Sequence, residues 1–117
     1  MKNTDKIFHL NGKVGLYALV KNKEIVYIGI SRNIYRRILE HIVNGFSFNL
    51  GQIKIWEIEY CNRLEVIEAM LIRRIRPKYN KLMYDDINTF MISKGIEEGD
   101  YPSYHVYSKV FKQMKSF

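Results

Sequence analysis

Hydrophobic positions cluster along this chain in two kinds of pattern. Val14 to Val20 and Ile25 to Ile30 are short runs rich in β-branched and aromatic residues, separated by the polar Lys21-Asn22-Lys23-Glu24. That arrangement predicts a β-hairpin. Apolar residues fall on both faces of each run, so the sheet should be covered on at least part of both sides. Next, Ile34, Ile38 and Ile42 recur every fourth residue, which predicts a helix capped by Ser31 or Asn33 and stopped near Gly45. Arg37 and His41 border that stripe, whereas Arg36 and Glu40 face the other way. A looser stretch, Phe46 to Gly51, leads to a third strand over Ile53 to Tyr60, with partial alternation.

A second helix follows Asn62. Glu65 stands where a capping box places it, Leu64, Ile67, Leu71, Ile72 and Ile75 form one face, and Pro77 ends the helix at or before Arg76. Later signals are weaker. Asp86 suits the cap of a short helix ending near Gly95. From Ser103 onward, Tyr104, Tyr107, Val110, Phe111 and Met114 share one face of an amphipathic helix, with Lys109, Lys112 and Lys115 largely elsewhere.

The chain's 117 residues suit one compact domain, and an apolar share of 47% argues against wholesale disorder. Cys61 is the only cysteine, so neither an internal disulfide nor a Cys-based zinc site can form. No run is apolar enough to span a bilayer, and the opening MKNTDKIFHL lacks a signal-peptide core. A reducing cytoplasm is the expected home, with no membrane partner. The net charge of +7 favours a polyanion, nucleic acid before an acidic membrane surface.

Chemistry concentrates in a few places. Glu68 projects into the apolar stripe of the second helix, where a carboxylate is costly unless a cation or hydrogen-bond donors meet it. Its partner could be Arg37, in a buried ion pair, or a hard divalent cation that also takes water and phosphate oxygens. Arg37 and His41 are helical neighbours, able to hold a phosphate and to move a proton. Tyr17 and Tyr27 each stand two residues from a glycine, Gly15 and Gly29, and glycine inside a strand marks a bulge or a close approach. Both occupy odd-numbered positions, so the two phenols should share a sheet face. Finally, Arg73, Arg74, Arg76, Lys78 and Lys81 form an acid-free basic run interrupted by Tyr79, a pattern suited to a phosphate backbone.

Taken in order, these residues resemble the GIY-YIG nuclease superfamily. Its first motif appears as Gly15-Leu16-Tyr17, with leucine in place of isoleucine, and its second is intact as Tyr27-Ile28-Gly29. The helical arginine falls on Arg37, the following histidine or tyrosine on His41, the metal-binding glutamate on Glu68, and the closing Pro-x-Tyr-Asn pattern on Pro77 to Asn80. The resemblance implies an α/β fold with a small three-stranded antiparallel sheet flanked by helices. Residues 13–82 would form the nuclease domain, after a lead-in over 1–12 and before a mainly helical C-terminal extension over 83–117.

The implied activity is metal-dependent hydrolysis of DNA phosphodiesters. Glu68 would hold one Mg²⁺ or Mn²⁺, Tyr17 would serve as general base or orient water, and Arg37 would stabilise the phosphate. Tyr27 and His41 would hydrogen-bond phosphate, water or the leaving oxygen, while Gly15, Gly29 and Asn80 support the site. Arg32, Arg36, Arg73, Arg74, Arg76, Lys78 and Lys81 would contact nucleic acid. The nuclease core would be poorly sequence-selective alone, or be directed by DNA structure, by a partner protein or by a second protomer. The competing expectation is a non-catalytic DNA-binding module on the same fold.

Overall fold

A computed structural model describes residues 7–45, 53–59, 62–80 and 104–115 of the chain. The sheet has three antiparallel strands: β1 (Gly15–Lys21), β2 (Glu24–Ser31) and β3 (Ile53–Glu57), in the order β2-β1-β3. Three helices accompany it: α1 (Ile34–Val43), α2 (Asn62–Ile75) and α3 (Tyr104–Lys115). A short 3-10 turn, Phe8–Leu10, precedes β1. The expected fold class is the observed one. β3 is shorter than its hydrophobic pattern suggested, ending at Glu57. Tyr60, the Phe46–Gly51 stretch, the Asn62 cap, the helix placed between Asp86 and Gly95, and Lys81 lie outside the described residues or side chains.

β1 is buried throughout from Gly15 to Val20 because it is central and covered on both faces. Its even-numbered residues, Leu16, Ala18 and Val20, pack with Leu64, Ile67, Leu71 and Ile72 of α2 and with Val110 and Met114 of α3. Its odd-numbered residues, Tyr17 and Leu19, pack instead with Ile34 and Ile38 of α1 and with Ile7 and Leu10 beside the 3-10 turn. One strand therefore holds two cores together. Full burial of each such aliphatic side chain stabilises the fold by about 1.5–3 kcal/mol.

The hairpin contains an irregularity that decides where the phenols point. Asn22 and Lys23 both take positive φ, 54° and 65°, and close a tight two-residue turn in which Lys21 pairs with Glu24. Regular pairing from that turn would set Tyr27 opposite Ala18, on the α2 face. Instead the register shifts between Leu19 and Val20: Val20 pairs with Ile25, but Leu19 pairs with Tyr27. Val26 is the extra residue of a β-bulge, and both Val26 and Tyr27 consequently belong to the α1-side cluster. The shared face expected from the odd numbering is real, but the bulge creates it.

Helix α1 begins at Asn33, whose side chain accepts from the Arg36 amide at 3.5 Å. Ser31 supports it by accepting from the Asn33 amide at 3.0 Å. Asn33 Oδ1 also accepts from the Gly12 amide at 3.1 Å, and Lys13 O accepts from the Ile34 amide at 2.8 Å. The start of α1 is thus tied to the loop ahead of β1. Helix α2 ends at Ile75, after which Arg76 adopts φ 53° and the fully buried Pro77 turns the chain toward β2.

Candidate active site

The first motif explains its own glycine by contact with β3. Gly15 has φ 143°, and a Cβ there would overlap the carbonyl of Trp56. The second motif explains its glycine by contact with the first. Tyr17 is the cross-strand partner of Gly29, and its ring lies over that glycine: a Cβ would stand 2.6 Å from both Cζ and the hydroxyl oxygen. The missing side chain is the space the phenol occupies. Tyr17 is 0% exposed, yet its tip extends across β2, the strand at the sheet's edge.

Three other groups gather around that tip. His41 Nε2 is 2.8 Å from the Tyr17 hydroxyl. The Tyr27 ring stacks beside Tyr17, with centroids 6.0 Å apart, and meets the His41 imidazole edge-on at 4.5 Å. Arg37 Nη2 donates to the Tyr27 hydroxyl at 3.3 Å. Arg37 and His41 reach the same place because a spacing of four puts them on one side of α1.

Electrostatics fix the resting protonation states. Burial, then the neighbouring Tyr27, raise the Tyr17 phenol well above its ordinary range; Arg37 pulls the other way, and Glu68 adds to the rise. Burial, then the Arg37 charge, lower His41 to about 4. Both groups are therefore neutral near pH 7, and in the Nδ1–H tautomer Tyr17 donates to His41 Nε2. Burial disfavours the Arg37 charge, but the Glu40 hydrogen bond and both phenols outweigh it and hold the guanidinium above its usual range.

Glu68 arrives from α2, on the opposite side of the sheet from α1. It is half-buried, and none of the polar or charged side chains among the described residues is fully buried. Its charge is felt at Tyr17, where it adds to the rise of the phenol's pKa. A fully buried Glu68–Arg37 pair is not what forms. Among the described residues no group of three or more His, Cys, Asp or Glu side chains is placed to hold a metal ion. A divalent cation here would have Glu68 as its protein carboxylate and fill its other positions with water and phosphate oxygen, which is common for Mg²⁺. A half-open carboxylate whose charge is felt at Tyr17 fits that role.

Asn80 stands behind the site. Its Oδ1 accepts from the Ile28 amide and its Nδ2 donates to the Ile28 carbonyl, both at 2.9 Å. Together with Tyr79 N donating to Val26 O at 2.8 Å, these bonds pin the segment after α2 along the free edge of β2, between Tyr27 and Gly29. Of the basic candidates, Arg32, Arg36, Arg73, Arg74, Arg76 and Lys78 are all exposed. One contact escaped the sequence reading. Glu40 is exposed as expected, yet Oε2 accepts from Arg37 Nη1 at 2.7 Å, while Oε1 lies 3.8 Å from Arg36 Nε. A spacing of three on one helix was the available signal.

No family model matches the chain. Its sequence is similar to UvrABC system protein C of Mesoplasma florum, 31% identical over 94 residues, covering 74% of this chain and 16% of that protein. The same-named protein of Mycoplasmoides gallisepticum is 34% identical over 84 residues, covering 63% and 14%. The chain thus spans about a sixth of the length of the curated relatives it matches. Among solved structures, the fold matches the GIY-YIG N-terminal endonuclease domain of UvrC from Thermotoga maritima bound to its catalytic divalent cation, magnesium. The TM-score is 0.52 at 26% identity, over 68% of this chain and 99% of that one. The chain belongs to the GIY-YIG nuclease superfamily. A point mutant of the same Thermotoga domain, also bound to its catalytic divalent cation, matches with TM-score 0.53 at 23% identity, covering all of that chain. The GIY-YIG domain is an endonuclease fold of the phosphodiester-hydrolase class, and in this chain its two name-giving motifs are the strands β1 and β2.

Proposed function

We propose that this chain is a divalent-metal-dependent DNA endonuclease whose site comprises Tyr17, Tyr27, Arg37, His41 and Glu68. The observation that carries the reading is the convergence of two phenols, a guanidinium and an imidazole at the tip of Tyr17, within the field of Glu68. The net charge of +7 and the exposed arginines suit a DNA substrate.

Arg37 binds the scissile phosphate through donors not committed to Tyr27 and Glu40, and stabilises the charge that builds on its oxygens. Tyr17 orients the attacking water and takes its proton as its own passes to His41 Nε2, the acceptor already 2.8 Å away. This relay suits a phenol that is neutral at rest. Tyr27, held by Arg37, hydrogen-bonds phosphate or water. Glu68 holds one Mg²⁺ or Mn²⁺, which when bound polarises the phosphoryl oxygen and offsets developing negative charge. Gly15, Gly29 and Asn80 support the site, and Arg32, Arg36, Arg73, Arg74, Arg76, Lys78 and Lys81 contact the DNA backbone.

Residues 13–82 act as the nuclease unit, preceded by the 1–12 lead-in and followed by the 83–117 extension. A bacterial or phage cytoplasm, and a partner or second copy that directs cutting, complete the reading. Its biological setting would be DNA repair, as the relatives suggest, or a mobile element.

Glu68→Gln provides the test. Plasmid nicking in Mg²⁺ or Mn²⁺ is expected to fall at least about 100-fold, with the fold and DNA binding retained. Nicking at the wild-type rate would remove Glu68 from the reaction. Salt-sensitive binding with no metal-dependent nicking by the wild-type chain would establish the binding-module alternative instead.

A further inference from the structure

Beyond Glu68, the surface formed by α2 and α3 takes no part in the catalytic steps above, yet it gathers charge. Phe111 of α3 is approached by cations from two helices: the Arg74 guanidinium carbon and Lys115 Nζ each lie 5.1 Å from its ring centroid. These charges are therefore no more than about 10 Å apart, roughly one Debye length at 0.1 M salt, so their repulsion is only partly screened. Lys112 follows on α3, three residues before Lys115, and Arg73 precedes Arg74 on α2; all are exposed. Neither Ala69 to Arg76 nor Tyr104 to Lys115 contains an acid. Among the described residues, Arg73, Arg74, Lys112 and Lys115 make no ion pair.

The arrangement is built in. Val110 and Met114 are buried against α2 and the even face of β1, which sets the register of α3. Trp56 of β3 donates to Gln113 on the flank away from Phe111. Tyr107 stacks beside Phe111 at 5.9 Å and 10°, forming an aromatic floor for the cations. Phosphate oxygens between Arg74 and Lys115 would replace repulsion with two charge-assisted contacts.

We propose that Arg74 and Lys115, both over Phe111, together with the exposed Lys112 in the same last turn of α3, form a second binding site for DNA backbone phosphates apart from the scissile bond. The inference rests on the endonuclease reading for its choice of polyanion. Tyr17, Tyr27, Arg37 and His41 belong to the α1 side of the sheet and this cluster to the α2–α3 side, with Glu68 the one catalytic residue carried by α2. Arg74, already assigned to the DNA backbone, would here join the α3 lysines in holding phosphates beyond those at the scissile bond, as a bent or branched molecule allows.

The test compares two charge-matched pairs in the Glu68→Gln background: Lys112→Gln with Lys115→Gln, and Lys21→Gln with Lys23→Gln at the hairpin tip. Fluorescence anisotropy of a labelled duplex is titrated from 50 to 200 mM salt, with circular dichroism checking the fold. The slope of log affinity against log salt should become shallower by about 2 for the α3 pair and stay put for the hairpin pair. Equal changes in both pairs, or none in either, would overturn the proposal. So would phosphatidylserine vesicle binding that depends on the α3 pair while the DNA slope does not. Nicking by the wild-type chain is scored separately: its absence refutes the endonuclease reading, while the slopes decide the second site.

Discussion

At the scale of single residues, Gly29 and His41 carry the sharpest consequences. Gly29→Ala would drive a methyl group into the Tyr17 ring, because the added Cβ lies 2.6 Å from Cζ and the hydroxyl oxygen. The ring is buried and cannot swing clear cheaply. We expect a loss of about 1–3 kcal/mol in urea denaturation, and a larger proportional loss of nicking, because the displaced hydroxyl leaves His41. His41 makes stability depend on acidity. Its folded pKa of about 4 lies below the ordinary value of 6.5, so between these values the unfolded chain binds the extra proton. Its contribution is whole above pH 6.5, shrinks as pH falls, and is gone by about pH 4. Melting temperatures at pH 7 and pH 4.5 should therefore drop further for the wild type than for His41→Gln. An equal drop would show that His41 does not titrate as its surroundings dictate.

Elements show which parts of this architecture were legible in the sequence. Helix α1 was local physics: an isoleucine every fourth residue, an asparagine cap, and Gly45 at φ 90° beyond the end. The side-by-side placement of Arg37 and His41 came with it. Glu68 on an otherwise apolar face of α2 was equally visible. What the sequence withheld is long-range pairing. Nothing near Tyr17 says that its partner is Gly29, and nothing near Asn80 says that both hydrogen-bonding ends of its amide belong to Ile28. The two glycines were rightly suspected of close approaches, but the groups approaching them come from other strands. Asn80→Ala leaves an amide and a carbonyl of an edge strand without these partners. We expect about 2 kcal/mol of destabilisation in chemical denaturation, with weaker nicking because Tyr27 precedes Ile28.

For the molecule as a whole, one central strand divides duties between two cores. The odd face of β1 supplies the phenol, while the even face anchors α2, which carries Glu68, and α3. Losing packing beneath α3 should thus cost stability before it costs chemistry. Met114→Ala is expected to lower unfolding free energy by about 2–5 kcal/mol, with near-normal nicking per folded molecule well below the new melting point. A specific activity that collapses in step with stability would mean that α3 also shapes the catalytic side. No helix among the described residues is long and apolar enough to cross a membrane.

The bulge at Val26 has a consequence for how such chains are recognised. A tight two-residue turn alone would send the phenols to opposite sides, and the single unpaired residue reverses that parity. A chain lacking a counterpart of Val26 would keep both phenols together on a regular ladder, with its two motifs one position closer. A sequence pattern that insists on one fixed interval between the tyrosines would therefore overlook chains in which the same pair of hydroxyls meets.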